Sequence, residues 1–254
     1  MNILVSNDDG IQAEGIKELV KALAAEDSIY VSAPHTQRSA TGHAITVGQP
    51  INISEVKFEN TKMALEVTGT PADCVKLGIG YLKAKGIKID MVFSGINHGG
   101  NLGTDTLYSG TVSAAIEGAL CGKPSVAVSV NNHEPVHFEY ACELAVNTLR
   151  AMKENDRGVI TMNINVPDMP KSEIKGVRYT RLGVREYDEW FTPKETESGE
   201  TEYWYHGKPV VYKSRNAGID VIADQEAYAS ITPLKFDLTN HDLIEDIKKW
   251  RIDK

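Results

Sequence analysis

The first residues with chemistry in them stand in "ILVSNDDGI", residues 3 to 11, where an apolar run meets Asn7, Asp8, Asp9 and Gly10. Neighbouring side chains on a strand point to opposite faces, so adjacent carboxylates reach one point only where the strand breaks. Gly10 supplies the backbone freedom for that break. One acid could simply cap the helix that follows, which is the commoner use of a strand–Asp–Gly–helix junction. Two acids side by side repel each other. A hard divalent cation such as Mg2+ or Mn2+, which takes oxygen ligands, offsets that repulsion.

A second collection is "SGINHGGNLG" at 94–103, with four glycines, Asn97 and Asn101. The asparagines offer neutral oxygens and amide donors. Directly downstream, "YSGT" at 108–111 opens a helix whose first N–H groups can hold a phosphate, and Ser109 and Thr111 add hydroxyl donors. A flexible loop and a single capping hydroxyl would account for part of this. A long Gly/Asn loop running into a Ser-Gly-Thr helix start favours anion binding. A third polar cluster is "PHTQRSATGH" at 34–43.

Four other motifs fail on mechanics. "HEPVH" at 133–137 has the zinc-protease spacing, but Pro135 would break the helix that must place both histidines on one face. "GALCGKPS" has the wrong P-loop spacing and puts Pro124 where a Ser or Thr should stand. "LYSGT" is no nucleophile elbow, because Leu107 replaces the first glycine. A phospho-acceptor receiver domain would want an Asp ending the strand at 89–93, and none is there.

These clusters must be positioned by the elements between them. Residues 2–6 read as a buried strand, and Ile16, Leu19, Val20 and Leu23 mark an amphipathic helix over 13–25. Residues 28–33 are a second strand, followed by β-like runs at about 44–48, 51–58 and 62–69. "TPAD" at 70–73 starts a helix with Thr70 as N-cap, Pro71 at N1 and Asp73 at N3, ending at Gly86. Strands at 89–93, 124–130 and 158–166 alternate with helices at 109–122 and 136–153. Repeated β-α-β units imply a doubly wound parallel sheet, with ligands bound beyond the carboxyl ends of its strands. After about residue 168 the pattern turns β-like and aromatic, at 174–183, 186–191 and 201–212, interrupted by the polar "TPKETESGET". Residues 185–220 read as an antiparallel arm, and 240–251 as a final helix capped by Asn240 with Leu243, Ile247 and Trp250 inward.

The 254 residues, 41% hydrophobic and 24% charged, fit one large α/β domain. A net charge of −8 disfavours a long nucleic-acid track. Cys74, Cys121 and Cys142 are odd in number and widely spaced, which fits free thiols in a reducing cytoplasm. No apolar stretch reaches the length of a membrane span, and no signal-peptide pattern opens the chain.

With these residues in place, the sequence resembles the SurE (survival protein E) family of metal-dependent nucleotidases. The motifs are "ILVSNDDGI", "RSA" at 38–40, "GTPADCV" at 69–75, "SGIN" with "NLG" and "YSGTVSAA", "INVP" at 164–167 and "SITPLKFDLT" at 230–239. The resemblance implies a Rossmann-like α/β fold whose C-terminal β extension is exchanged within a homodimer, sometimes paired into tetramers. It implies hydrolysis of nucleoside 5′- and 3′-monophosphates, and in some members of polyphosphate. By motif position it makes Asp8, Asp9, Ser39 and Asn97 ligands of one divalent metal cation per subunit. Asn101, Ser109, Gly110 and Thr111 become the phosphate-binding set. Gly100 stands where many relatives have proline, and Ala227 where a glycine is common; neither touches the metal set.

The expected reaction is metal-assisted phosphomonoester hydrolysis, with Asp8 or Asp9 orienting or deprotonating water and preorganised donors holding the phosphoryl oxygens. The competing expectation is a nucleotide-binding regulatory module that does not turn over.

Overall fold

The computed structural model describes residues 1–211, 216–250 and 252. The expected arm at 185–220 and strand at 201–212 therefore fall partly outside the described residues, as does the last position of the expected helix at 240–251.

The first strand, β1 (Asn2–Ser6), is buried on both faces. Its alternate side chains enter different cores: Ile3 and Val5 pack with α1 (Glu14–Leu23), while Leu4 packs with α2 (Pro71–Ala84). Burial on both faces is why the strand reads as a continuous apolar run. β2 (Ser28–Pro34), β3 (Ile53–Val56) and β4 (Met63–Val67) precede α2. The start of α2 is a reciprocal box: Thr70 Oγ1 accepts the Asp73 N–H at 3.1 Å, and Asp73 Oδ2 accepts the Thr70 N–H at 2.9 Å. Then come β5 (Met91–His98), α3 (Gly110–Leu120), β6 (Ser125–Val130), α4 (Glu139–Glu154) and β7 (Thr161–Val166).

The sheet order is β3-β4-β2-β1-β5-β6-β7 followed by β11 (Ala229–Leu234) and β8 (Val177–Tyr179). Pairings from β4 through β7 are parallel, whereas β3 and β11 join antiparallel. Helices α1 and α4 pack together, as do α2 and α3. The chain winds to one side of β1 through β2 and to the other through β5. A crevice therefore opens beyond the carboxyl ends of β1 and β5, where ligands bind in such folds.

Outside the sheet, β9 (Tyr187–Glu195) and β10 (Thr201–Pro209) form a separate antiparallel hairpin. Part of the polar stretch expected to separate strands belongs to the hairpin, since Thr192–Glu195 pair with Thr201–Trp204. Alternate polar side chains face solvent on an exposed ribbon, so polarity does not end the strand.

Three expectations need correction. The run at 44–48 is not a strand: the Thr46 N–H and hydroxyl go to Asp73, and the Ala44 carbonyl accepts the Thr70 hydroxyl. Its polar groups are engaged by the start of α2 instead of a ladder. Only Val177–Tyr179 of 174–183 is a strand. The final helix shortens to a 3-10 turn at His241–Leu243 and α6 (Ile244–Lys248), capped as expected by Asn240. Leu243, Ile247 and Trp250 are exposed, since none of the other described residues covers them. Two elements carried no recognised periodic signal: α5 (Asp220–Gln225) and β11. Among the described residues no helix is long and apolar enough to cross a membrane.

Candidate active site

The chain turns sharply as β1 ends. The buried Asn7 amide donates to the Gly10 carbonyl at 2.8 Å, and Gly10 takes φ +97°. A Cβ there would lie 3.3 Å from the Thr36 carbonyl carbon, so both conformation and space call for glycine. This turn aims Asp8 at the start of α3. Asp8 Oδ1 accepts the Thr111 hydroxyl at 2.5 Å and Oδ2 the Thr111 N–H at 3.1 Å. Gly110 makes the approach feasible, since a Cβ there would sit 2.7 Å from the Asp8 Cβ.

Asp8 is 4% exposed. Burial pushes its carboxyl up to about 6, the neighbouring Asp9 charge adds to this, and the Thr111 hydrogen bonds work against it. Asp9 is less enclosed. Its Oδ2 accepts the His98 N–H at 3.0 Å and its Oδ1 the Gln37 amide at 3.4 Å. Burial raises this carboxyl too, against the His98 hydrogen bond and the charges of His98 and His133. Among the described residues every hydrogen-bond donor to the two acids is neutral.

Ser39 lies on the exposed loop after β2, and that loop is tied down at several points. The Arg38 N–H meets the Asp8 carbonyl at 2.7 Å, the Gly42 N–H meets the Tyr108 carbonyl at 3.0 Å, and His43 Nε2 meets Glu117 Oε2 at 2.9 Å. Asn97, at the end of β5, donates its amide to the Gly99 carbonyl at 2.7 Å, so its side-chain oxygen is the end left for a cation. Asn101 is held from three sides. Its N–H meets Asn165 Oδ1 at 2.7 Å, its side-chain amide meets Ser129 at 2.9 Å, and its carbonyl accepts from Asn163 and Asn165. Ser109 caps α3, accepting the Val112 N–H at 3.0 Å, which leaves its own proton to donate.

A cleft of about 520 Å3 has Asp8, Ser39, Asn97, Asn101 and Ser109 on its walls. Asp9, Gly110 and Thr111 are not wall residues but touch ones that are: Asp9 through Gln37 and His98, the other two through Asp8. Three segments distant in sequence thus meet at one rim. "HEPVH" lies before α4, and His137 is hydrogen-bonded to Asp168 instead of sharing a helix face with His133.

Sequence reasoning missed the far wall. Arg185 pairs with Asp105 at 3.1 Å, and Tyr187 donates its hydroxyl to the same acid at 2.5 Å. Asp220, fully buried, accepts the N–H groups of Gly103, Gly183 and Val221 and so joins the glycine loop to the root of the hairpin. One signal was available: "MNINV" puts Asn163 and Asn165 on one face of a buried strand, and polar residues at period two need partners.

The Survival protein SurE family profile matches residues 3–189. The chain is 44% identical over 251 residues to the 5′-nucleotidase SurE of Syntrophomonas wolfei, covering 98% of this chain and 94% of that one. It is 42% identical over 251 residues to the 5′-nucleotidase SurE of Petrotoga mobilis, covering 98% and 99%. The crystal structure of the SurE protein from Aquifex aeolicus superposes with a TM-score of 0.83 at 35% identity, covering 98% of this chain and 99% of that one. The Syntrophomonas and Petrotoga relatives carry enzyme names, and neither favours a module that binds without turnover. The profile, the full-length identities and the shared fold agree that the chain belongs to the SurE family.

Proposed function

We propose that the cleft hydrolyses nucleoside monophosphates by attack of water with the help of one divalent cation per subunit, at 5′ and also at 3′ phosphates. The observation that carries this reading is Asp8: a carboxylate only 4% exposed, pushed up to about 6, and given, among the described residues, neutral partners alone. Buried charges are ordinarily paired or coordinate metals.

The donor set fits a hard ion. Asp8, Asp9, Ser39 and Asn97 offer only oxygens, as Mg2+ or Mn2+ prefers. Among the described residues no group of three or more His, Cys, Asp or Glu side chains is placed to hold a metal, so the neutral oxygens would have to complete the shell. Such an ion, when bound, supplies a water of lowered pKa and polarises the phosphoryl group.

The residues divide the remaining work. Thr111 commits its N–H and hydroxyl to Asp8 and fixes that carboxylate in place. Asp9 Oδ1, with one long contact to Gln37, orients the attacking water and takes its proton. Within the first turn of α3 the Thr111 and Val112 N–H groups are engaged, which leaves that of Gly110 for the phosphate. The Ser109 hydroxyl and Asn101 complete the donors to the phosphoryl oxygens.

The test is phosphate release from AMP with and without Mn2+ or Mg2+. Wild type should require the metal, and Asp9→Asn should lose on the order of a hundredfold or more in kcat/KM. AMP binding without release in every metal would overturn the reading.

The hairpin supports a homodimer, with tetramers as pairs of dimers: Trp190, Phe191, Tyr203, Trp204 and Tyr205 are all exposed on it. Its deletion should give monomers in sedimentation, and a surviving dimer would refute the assignment. Three free cysteines support a reducing cytoplasm as the compartment.

A further inference from the structure

The donors assigned to the phosphate, Asn101, Ser109 and the Gly110 N–H, are all neutral, and Asp8 and Asp9 together offset the charge of one divalent cation. A phosphate monoester is dianionic at neutral pH, and protein sites commonly meet such charge with arginine, whose planar fork fits phosphoryl oxygens. Among the described residues Arg185 is the only Lys or Arg on the walls of the cleft, which it shares with Asp8, Asn101 and Ser109.

An arginine carries five N–H donors on three nitrogens. Among the described residues only Nη1 of the Arg185 side chain has acceptors, Asp105 Oδ2 at 3.1 Å and the Gly100 carbonyl at 3.3 Å. The side chain is 13% exposed, and neither Nε nor Nη2 is enclosed without a partner, so both are open to solvent. The two Nη1 contacts seat the guanidinium across the glycine loop, from Gly100 beside Asn101 to Asp105 ahead of Ser109. Tyr187 holds Asp105 in turn: burial raises its phenol and Asp105 adds to this, so the hydroxyl keeps its proton and donates at 2.5 Å. Asp224 of α5 feels the Arg185 charge but bonds the Asn131 amide at 2.5 Å, and burial pushes its carboxyl up to about 6. A clasp between loop and hairpin root does not need the charged end, because the Arg185 N–H and carbonyl already bond the Thr104 hydroxyl at 3.1 and 3.0 Å.

We propose that Arg185 is a phosphate-binding residue whose Nε and Nη2 N–H groups close on the phosphoryl oxygens and add a positive charge to the neutral donors. Asp105 and Tyr187 are positioning residues that act through it. The assignment rests on the nucleotidase reading and adds a charged group to its phosphate site.

The test compares AMP with p-nitrophenyl phosphate, which keeps the phosphate but has neither sugar nor base. Arg185→Gln should lose on the order of tenfold or more in kcat/KM on both substrates alike. Inorganic phosphate should bind the Mn2+-loaded variant more weakly by a similar factor, while Mn2+ itself binds as in wild type. Arg185→Lys, which keeps the charge without the fork, should fall between, and it decides the matter should Arg185→Gln fail to fold. Tyr187→Phe should give a smaller loss of the same kind. A loss confined to AMP would place Arg185 on the sugar or base and overturn the proposal. Unchanged phosphate binding, or Mn2+ binding lost together with it, would overturn it too. If wild type does not hydrolyse AMP, the nucleotidase reading falls, and the phosphate titration still decides this assignment by the same two results.

Discussion

Helix α3 meets one buried carboxylate at its start and carries another near its end, and the two are in opposite electrostatic states. Glu117, 2% exposed, is met by Lys76 Nζ and His43 Nε2, each at 2.9 Å. Burial raises its carboxyl, yet the His43 and Lys76 interactions outweigh this and hold it below its ordinary value. The Asp8 carboxylate, 4% exposed, has only Thr111 among the described residues and is pushed up to about 6. The fold supplies cations where an acid ties a loop to a helix. At the rim, where a positive charge can come from outside, it gives Asp8 no such partner among the described residues.

The contrast gives opposite signs for one chemical change. In metal-free protein at neutral pH, Asp8→Asn should raise stability by up to about 3 kcal/mol, because it removes an unbalanced buried charge and keeps hydrogen bonds to Thr111. Glu117→Gln should lower it by about 1–3 kcal/mol, because two charge-assisted hydrogen bonds are lost. Urea unfolding of both variants measures the pair, and equal signs would break the comparison. Glu117→Gln should also raise KM for AMP more than it lowers kcat, since His43 helps tether the loop carrying Ser39.

Thr70→Ala removes the N-cap of α2 and a hydroxyl held by the Ala44 carbonyl, and should cost about 1 kcal/mol in the same assay. The smallest effect is the pH dependence. The Glu117 carboxyl lies below its ordinary 4.5 in the fold, so its contribution is present above that pH and is lost as pH falls through its folded value. The stability gap between wild type and Glu117→Gln should therefore narrow below about pH 4.5, and a gap that widens would contradict the ion-pair account.

The parallel sheet and the meeting of three polar loops were legible because strand and helix periods are local properties of the chain. Asp8, Asp9 and the Ser109 cap were legible for the same reason: each is explained by its immediate neighbours. Ser39 was reached only through the family resemblance, because its place in the cleft depends on Glu117 and Asp73, 78 and 34 residues away. Arg185, Asp220 and Asp224 were not legible. Their partners are Asp105, Gly103 and Asn131, and contacts over such separations leave no spacing to read. The exposed face of α6 was misread because an amphipathic pattern shows that a face needs covering without showing what covers it.

Calorimetric titration of Mn2+ into the metal-free protein tests the central claim most directly. One site per chain should be filled by wild type and lost in both Asp8→Asn and Asp9→Asn, while Glu117→Gln still binds. Binding that survives both aspartate changes, or none in wild type, would contradict the account.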